Sequence, residues 1–368
     1  MRVILLPYNI AGTASSLAFA LKKRGHRAEA WVYALDWLNI GADRVLVRSP
    51  PKSGFFLQLA IQIRKWRMLS YLWKADVVVY CFGATVFYPA RGSFPKWAYP
   101  FWISYNLVNM GLQLIELAFA KARKIRIIVL FQGNDARRRD YAIRNFEINF
   151  AREADGIYSS AGDFIKRYQS WLFDQLADKI FFMNPDLGHV LPPRSKFMPY
   201  PSVAAGDFNF AGVTQTQGTL VIGHAPTSRK IKGTELVIAA VQNLRASGIN
   251  IELKLFENIC RDEALKLYAH VDVFIDQLFA GWYGAVAVEL MAMGKPVIAY
   301  VREDDLIHVD PNFAKDLPIL SCKPDELEQT ILRLTQTSRA ELNQMGQNAR
   351  NFVEKWHNPI VISEHIIR

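Results

Sequence analysis

Eleven consecutive residues, Gly223-His224-Ala225-Pro226-Thr227-Ser228-Arg229-Lys230-Ile231-Lys232-Gly233, bring three cations and two hydroxyls into one loop. An apolar run precedes the loop and a helical pattern follows it. Free N–H groups and the helix dipole attract phosphate at a helix N-terminus, and Lys and Arg neutralise it. The chemistry expected here is pyrophosphate binding. The alternative is a solvated basic loop in which Thr227 or Ser228 caps locally. GxxxxGK[ST] is absent, so the loop is not a P-loop.

A second cluster runs from Gly281 through Trp282, Tyr283, Gly284 and Ala285 to Glu289, then Met291-Ala292, Gly294 and Pro296-Val297. A Gly-rich turn opens an apolar helix that carries one carboxylate. Glu289 can accept two hydrogen bonds from the vicinal hydroxyls of a ribose, as acidic residues do in dinucleotide folds. It can also pair with a structural cation. Arg137-Arg138-Arg139 has the charge to hold a pyrophosphate-linked acceptor, or forms a solvated helix start beside Asp140.

These loops need a scaffold, and the hydrophobic pattern supplies one. Strands are expected at Arg2–Pro7, Ala28–Tyr33, Asp76–Phe82 and Ile125–Phe131, with weaker ones at 156–160 and 179–183. A helix is expected at about 15–24, and a basic amphipathic one over 55–74. After a Pro-rich stretch at 191–207, strands are expected at 219–223, 251–256, 271–276 and 296–300. Helices are expected at 233–245, 262–270, 284–293 and from Ser338 onward. Buried runs alternating with helices predict parallel sheets covered on both faces. In such sheets ligands bind beyond the carboxyl ends of the strands. The expected class is therefore α/β, two Rossmann-like doubly wound domains facing a cleft. The expected domains are 1–200, 201–345, and a C-terminal helix at 346–368 packing back on the first.

The 368 residues suit about two domains of roughly 150 residues each. At 51% hydrophobic and 21% charged, the chain can bury sizeable cores and is not disordered. Three scattered cysteines, Cys81, Cys260 and Cys322, give neither a zinc spacing nor a disulfide framework, which favours a reducing compartment. The N-terminus reads as a first strand, not a signal peptide. Net charge is +10, unevenly spread: residues 1–200 hold 28 Lys/Arg against 14 Asp/Glu, residues 201–368 hold 16 against 20. A positive first half suits an anionic surface. Tyr99–Ala120 contains only Glu116 as a charge, with Trp97, Tyr99, Phe101, Trp102 and Tyr105 at its front and Lys121, Arg123, Lys124 and Arg126 behind. It reads as a core crossover helix, an in-plane membrane helix or a span.

The strand–Arg229…Lys232-Gly233–helix arrangement, followed by G-x-x-x-x-E-x-M-A-x-G-x-P-V over 284–297, resembles retaining GT-B glycosyltransferases of family 4. Phe131-Gln132-Gly133-Asn134-Asp135 is similar to that family's F-H-G-S-D segment. Asn184-Pro185-Asp186-Leu187 with Leu191-Pro192, Asn9-Ile10-Ala11-Gly12, and Gly346-Gln347-Asn348-Ala349-Arg350 resemble further segments. Two positions depart from the family: Gly281 stands where E-x7-E has its first Glu, and Gln132 replaces the His.

The resemblance implies a glycosyltransferase moving a sugar from a UDP- or GDP-linked donor to a glycan or lipid-linked acceptor, with retention, in cell-surface polysaccharide or glycolipid assembly. Arg229 and Lys232 would hold the diphosphate, and Glu289 the ribose. Thr227, Ser228 and the backbone of Tyr283, Gly284 and Ala285 would line the donor. Glu257 and Asn258 would flank the base. Gly12, Gln132, Asn134, Asp135 and Arg137 would face the acceptor. No D-x-D occurs, so no metal and no cofactor beyond the donor are expected. The expected location is cytoplasmic, peripheral on the inner membrane face. An epimerase, a phosphorylase and a non-catalytic binding subunit are alternatives on the same fold. No motif supports nucleic-acid binding.

Overall fold

The computed structural model describes residues 1–35, 40–47, 61, 63–89, 99–153, 158–213 and 218–368. The chain divides into two units: Met1–Asn145, Gly156–Ser202 and Pro359–Arg368 form the first, and Phe146–Asp155 with Val203–Asn358 the second.

The first unit is built on a seven-stranded sheet: β1 (Arg2–Leu6), β2 (Arg27–Val32), β3 (Arg44–Val45), β4 (Val77–Cys81), β5 (Arg126–Phe131), β6 (Lys179–Phe182) and β7 (Lys196–Phe197). The order is β3-β2-β1-β4-β5-β6-β7, with every pair parallel. Val77-Val78-Val79-Tyr80-Cys81 is buried along its whole length, as a strand with helices on both faces must be. The chain reverses its winding between β1 and β4, and a crevice opens at such a point.

The second unit carries β8 (Leu220–His224), β9 (Ile251–Leu255), β10 (Val273–Ile275), β11 (Val297–Ala299) and β12 (Leu320–Ser321). Their order is β12-β11-β10-β8-β9, again parallel. Its switch point lies between β8 and β10, where Ile275 sits beside His224. Both orders are doubly wound plans.

Several local expectations are corrected. The expected strand at 156–160 lies partly outside the described residues, and Ser160 instead opens a helix, Ser160–Leu176. Ser159 caps that helix, its Oγ accepting from the Gly162 N–H at 3.0 Å. Of the helix expected over 55–74, residues 55–60 and 62 lie outside the described residues, and Lys65–Trp73 is a 3-10 helix. Trp97 also lies outside them. The C-terminal boundary moves as well. The helix Arg339–Trp356 belongs to the second unit and packs on Ala285–Ala292. At their contact a Cβ on Gly346 would stand 2.0 Å from the Gly294 carbonyl oxygen, so only glycine fits. The chain end that joins the first unit starts at Pro359, held there by Arg24 Nε to the Ile360 carbonyl (2.9 Å) and Arg126 to the Ile366 carbonyl (2.7 Å).

The helix Tyr99–Ala122 is the crossover from β4 to β5. Asn106, Asn109, Gln113 and Glu116 point inward. Glu116 accepts from the Tyr71 and Tyr80 hydroxyls (2.9 and 3.1 Å) and from the Val86 and Phe87 N–H groups (3.2 and 3.1 Å). Gln113 and Gln169 exchange two amide hydrogen bonds, and Lys65 donates to Asn109 at 2.8 Å. Burial raises the Glu116 pKa, and these four donors work against that rise.

Candidate functional site

The second unit places its charged residues just beyond β8 and β10. Gly233 (φ +74°) ends the short helix Arg229–Lys232 and starts Thr234–Ala246, with Leu278 3.0 Å from where a Cβ would lie. A glycine is needed there to combine that left-handed turn with close packing. The turn aims Lys232 inward, where it is buried and its Nζ bonds the Asp276 carboxylate at the end of β10. Asp276 also accepts from the Gly284 N–H at 2.5 Å. A Cβ on Gly284 would lie 3.3 Å from Asp276 and 3.8 Å from the Lys232 Nζ, so a larger residue would crowd this pair.

His224 lies under the same loop, fully buried. Its Nδ1 is 2.8 Å from the Ile275 carbonyl and its Nε2 2.9 Å from the Thr234 hydroxyl. A carbonyl only accepts, so Nδ1 carries the proton and Nε2 accepts from Thr234. Burial lowers this pKa to about 4, and the imidazole is neutral near pH 7.

Arg229 is exposed and clasped by two carboxylates, Glu235 (2.8 Å) and both oxygens of Glu257 (2.9 and 3.0 Å). Glu257, expected beside a nucleobase, is thus an ion-pair partner of the expected phosphate ligand. Asn258 is exposed with a left-handed backbone (φ +57°). Thr227 is exposed, and Ser228 precedes the short helix without a capping hydrogen bond. Glu289 is buried in the helix Ala285–Ala292 and pairs with Arg261 at 2.6 Å. Burial raises the Glu289 pKa, and Arg261 pulls it back. Among the described residues Oε1 takes both Arg261 bonds and Oε2 takes none. The Tyr283 side chain belongs to the core: it stacks on Trp282 (4.7 Å) and its hydroxyl meets His357 (3.0 Å). Its neighbour Gly284 reaches the Lys232–Asp276 pair through its N–H.

Gly281, at the departing family position, adopts φ +74°, and the Arg302 guanidinium fills the place of a side chain. A Cβ would stand 2.6–2.8 Å from its atoms. Arg302 in turn bonds Asp305 (2.7 Å) and the Ile148 carbonyl (2.8 Å), and lies over the Phe146 ring at 3.7 Å. A side chain at 281 would displace this guanidinium.

In the first unit the loop after β5 is braced from within. Asp135 is fully buried and accepts from the Gln132 N–H (2.9 and 3.0 Å) and the Gly133 N–H (2.6 Å). Asn134 accepts from Tyr158 at 2.5 Å. Arg137, expected on the acceptor side, is buried against Asp186, bonding both its oxygens. Arg138 pairs with Asp140, and the Arg139 N–H binds Asp163. In this loop the Gln132 Nε2 is a buried donor without a hydrogen-bond partner among the described residues. Gly12 (φ +78°) precedes the helix Thr13–Lys23, whose first turn Asn9 holds through Ser15 (3.1 Å).

Asp276 and Arg261 were not singled out in the sequence. Asp276 follows a buried strand immediately, which is the position where ligand-facing residues stand in such sheets. Arg261 carries no local signal. Among the described residues no group of three or more His, Cys, Asp or Glu side chains could hold a metal ion.

No protein-family model matches the chain, and no curated protein matches it in sequence. Solved structures share its architecture from end to end. A sucrose-phosphate synthase from Thermosynechococcus elongatus superposes with a TM-score of 0.61 at 12% identity, over 99% of this chain and 96% of that one. HepE of Anabaena, solved with UDP-glucose, gives 0.58 at 12% identity, covering 100% and 98%. A glycosyltransferase from Rickettsia africae gives 0.59 at 12%, covering 100% and 96%. At this identity the likeness shows the fold, and the fold is GT-B.

Proposed function

We propose that this GT-B chain is a glycosyltransferase that takes its sugar from a UDP- or GDP-linked donor bound at the β8/β10 switch point. The observation that carries the reading is Lys232: a buried cation at a strand crossing whose one hydrogen-bonding partner among the described residues is Asp276. A diphosphate can take that carboxylate's place, and the Gly284 N–H released from Asp276 becomes a second donor to it. As the sugar–phosphate bond breaks, its electron pair goes to the diphosphate. The acceptor oxygen bonds the anomeric carbon and its proton passes to an oxygen of the departing diphosphate. Lys232 and Arg229 stabilise the growing negative charge, the role of preorganised electrostatics. That role is our basis for metal independence, and the family resemblance is our basis for retention. Glu289, with one oxygen open, holds the ribose. On the first unit, Gln132, with its unsatisfied amide donor, and Asn134 face a glycan or lipid-linked acceptor.

The side chain missing at Gly281 favours a second reading, a nucleotide-sugar-binding protein without transfer activity. Thermal shift with UDP-, GDP-, ADP- and CMP-sugars, without metal, tests the first reading. A ligand at about 100 times its Kd stabilises by about 2.7 kcal/mol. One nucleotide class should shift the wild type and leave Lys232→Ala unmoved. No shift in any class defeats the donor-site reading; a shift without product in a transfer assay supports the second.

A further inference from the structure

The helix Tyr99–Ala122 is inside out. Its buried face carries Asn106, Asn109, Gln113 and Glu116 beside Leu117 and Ala120, and its outward face carries Phe101, Ile103, Leu107, Val108, Leu114, Ile115 and Phe119 with Ser104. Between 100 and 120 the outward positions hold no charge. Phe101 is 75% exposed, Leu107 63% and Ile115 65%. The rotation is not free to change. Turning the helix to bury those residues would strip Glu116 of four donors and break the Gln113–Gln169 pair, leaving buried polar groups unsatisfied. The fold therefore specifies an apolar outer face, about 27 Å long at 1.5 Å per residue over 18 residues.

The face extends sideways through aromatic residues. Trp73, 63% exposed, lies 5.6 Å from Phe119. On the helix Ser160–Leu176, Tyr168 reaches the Met110 carbonyl (3.2 Å), with exposed Trp171 beside it. The C-terminal end passes into exposed Lys121, Arg123 and Lys124.

We infer that this face docks in the plane of an anionic lipid surface, with the helix lying along the headgroup boundary. An in-plane helix presents apolar residues inward, Trp and Tyr at the headgroup level and cations at its edge. Charge decides between occupants. A second copy would bring the same basic excess, 28 Lys/Arg against 14 Asp/Glu over residues 1–200, against itself, whereas anionic lipid complements it. No helix among the described residues is long and apolar enough to cross a membrane, and the polar face is already bound to the sheet, so the helix lies flat. The inference stands independently of the donor site.

Flotation with phosphatidylcholine vesicles, with and without phosphatidylglycerol, tests it on the full chain. The wild type should float with the anionic vesicles. Leu107→Glu with Ile115→Glu should weaken binding at least about tenfold, since two large apolar side chains no longer insert. Both positions are exposed, so circular dichroism and melting should be unchanged. Ile307→Glu, at an exposed apolar residue of the second unit, should leave flotation unaltered. Arg123→Glu with Lys124→Glu should weaken binding to anionic vesicles in low salt. Absence of flotation overturns the inference. So does a lipid-free dimer in sedimentation velocity that the Leu107/Ile115 variant dissociates, which would make the face a contact between copies.

Discussion

The loops beyond the strands of the two units use the same residue types to opposite ends. After β8, Arg229 rests on carboxylates at the surface and Lys232 on the buried Asp276, an arrangement the proposed donor phosphate would exchange into. After β5, Arg137 and Asp135 are spent on the chain itself: Arg137 is sealed against Asp186, and Asp135 against two backbone N–H groups. Basic residues in a glycine-containing loop are therefore not equivalent. What separates a ligand cation from a scaffold cation is whether its partner can be replaced without unfolding the loop.

The largest expected effect comes from breaking the scaffold side. Arg137→Ala leaves Asp186 charged and buried, and should cost about 3–5 kcal/mol in urea unfolding. A stable Arg137→Ala protein with impaired acceptor use would erase the contrast. On the ligand side, Lys232→Ala should lower kcat/KM by about 10²–10³, the loss typical of one preorganised transition-state group, while leaving the first unit's unfolding unchanged. His224 sharpens the comparison through pH. Its folded pKa of about 4 lies below the unfolded value of about 6.5. Stability is then full above pH 6.5 and falls as pH drops through 4, by at most about 3 kcal/mol. His224→Gln should flatten that part of the pH–stability curve in thermal melts. The smallest effect belongs to exposed Arg229: Arg229→Ala should raise donor KM by about tenfold, one charge-assisted contact's worth, with an unaltered melting temperature.

The central strands were legible because full burial leaves a continuous apolar signature: β4, β5 and β8 fall within a residue or two of expectation. The two-residue strands β3, β7 and β12 were not, since an edge pairing so short leaves no pattern to read. The Lys65–Trp73 segment has the apolar spacing of an α-helix, yet tightens to a 3-10 form. At the site, the loop and helix holding Lys232 and Glu289 could be read directly. Their partners could not. Asp276 is 44 residues from Lys232, Arg261 28 from Glu289, and Asp186 49 from Arg137. Only the folded sheet brings such pairs together, and it gives Arg137 the protein partner Asp186 that the sequence did not show.

The lock between Gly281 and Arg302 also bears on how this protein can change. Installing a glutamate at 281 alone forces a side chain into a left-handed backbone, at roughly 1–2 kcal/mol, and into the guanidinium of Arg302. Removing Arg302 alone takes its guanidinium from the fully buried Asp305 and from the Ile148 carbonyl. Each single step is destabilising, and the second compensates for the first only in part. The two positions form a valley in sequence space: a carboxylate at 281 is reached one substitution at a time only through a weakened intermediate.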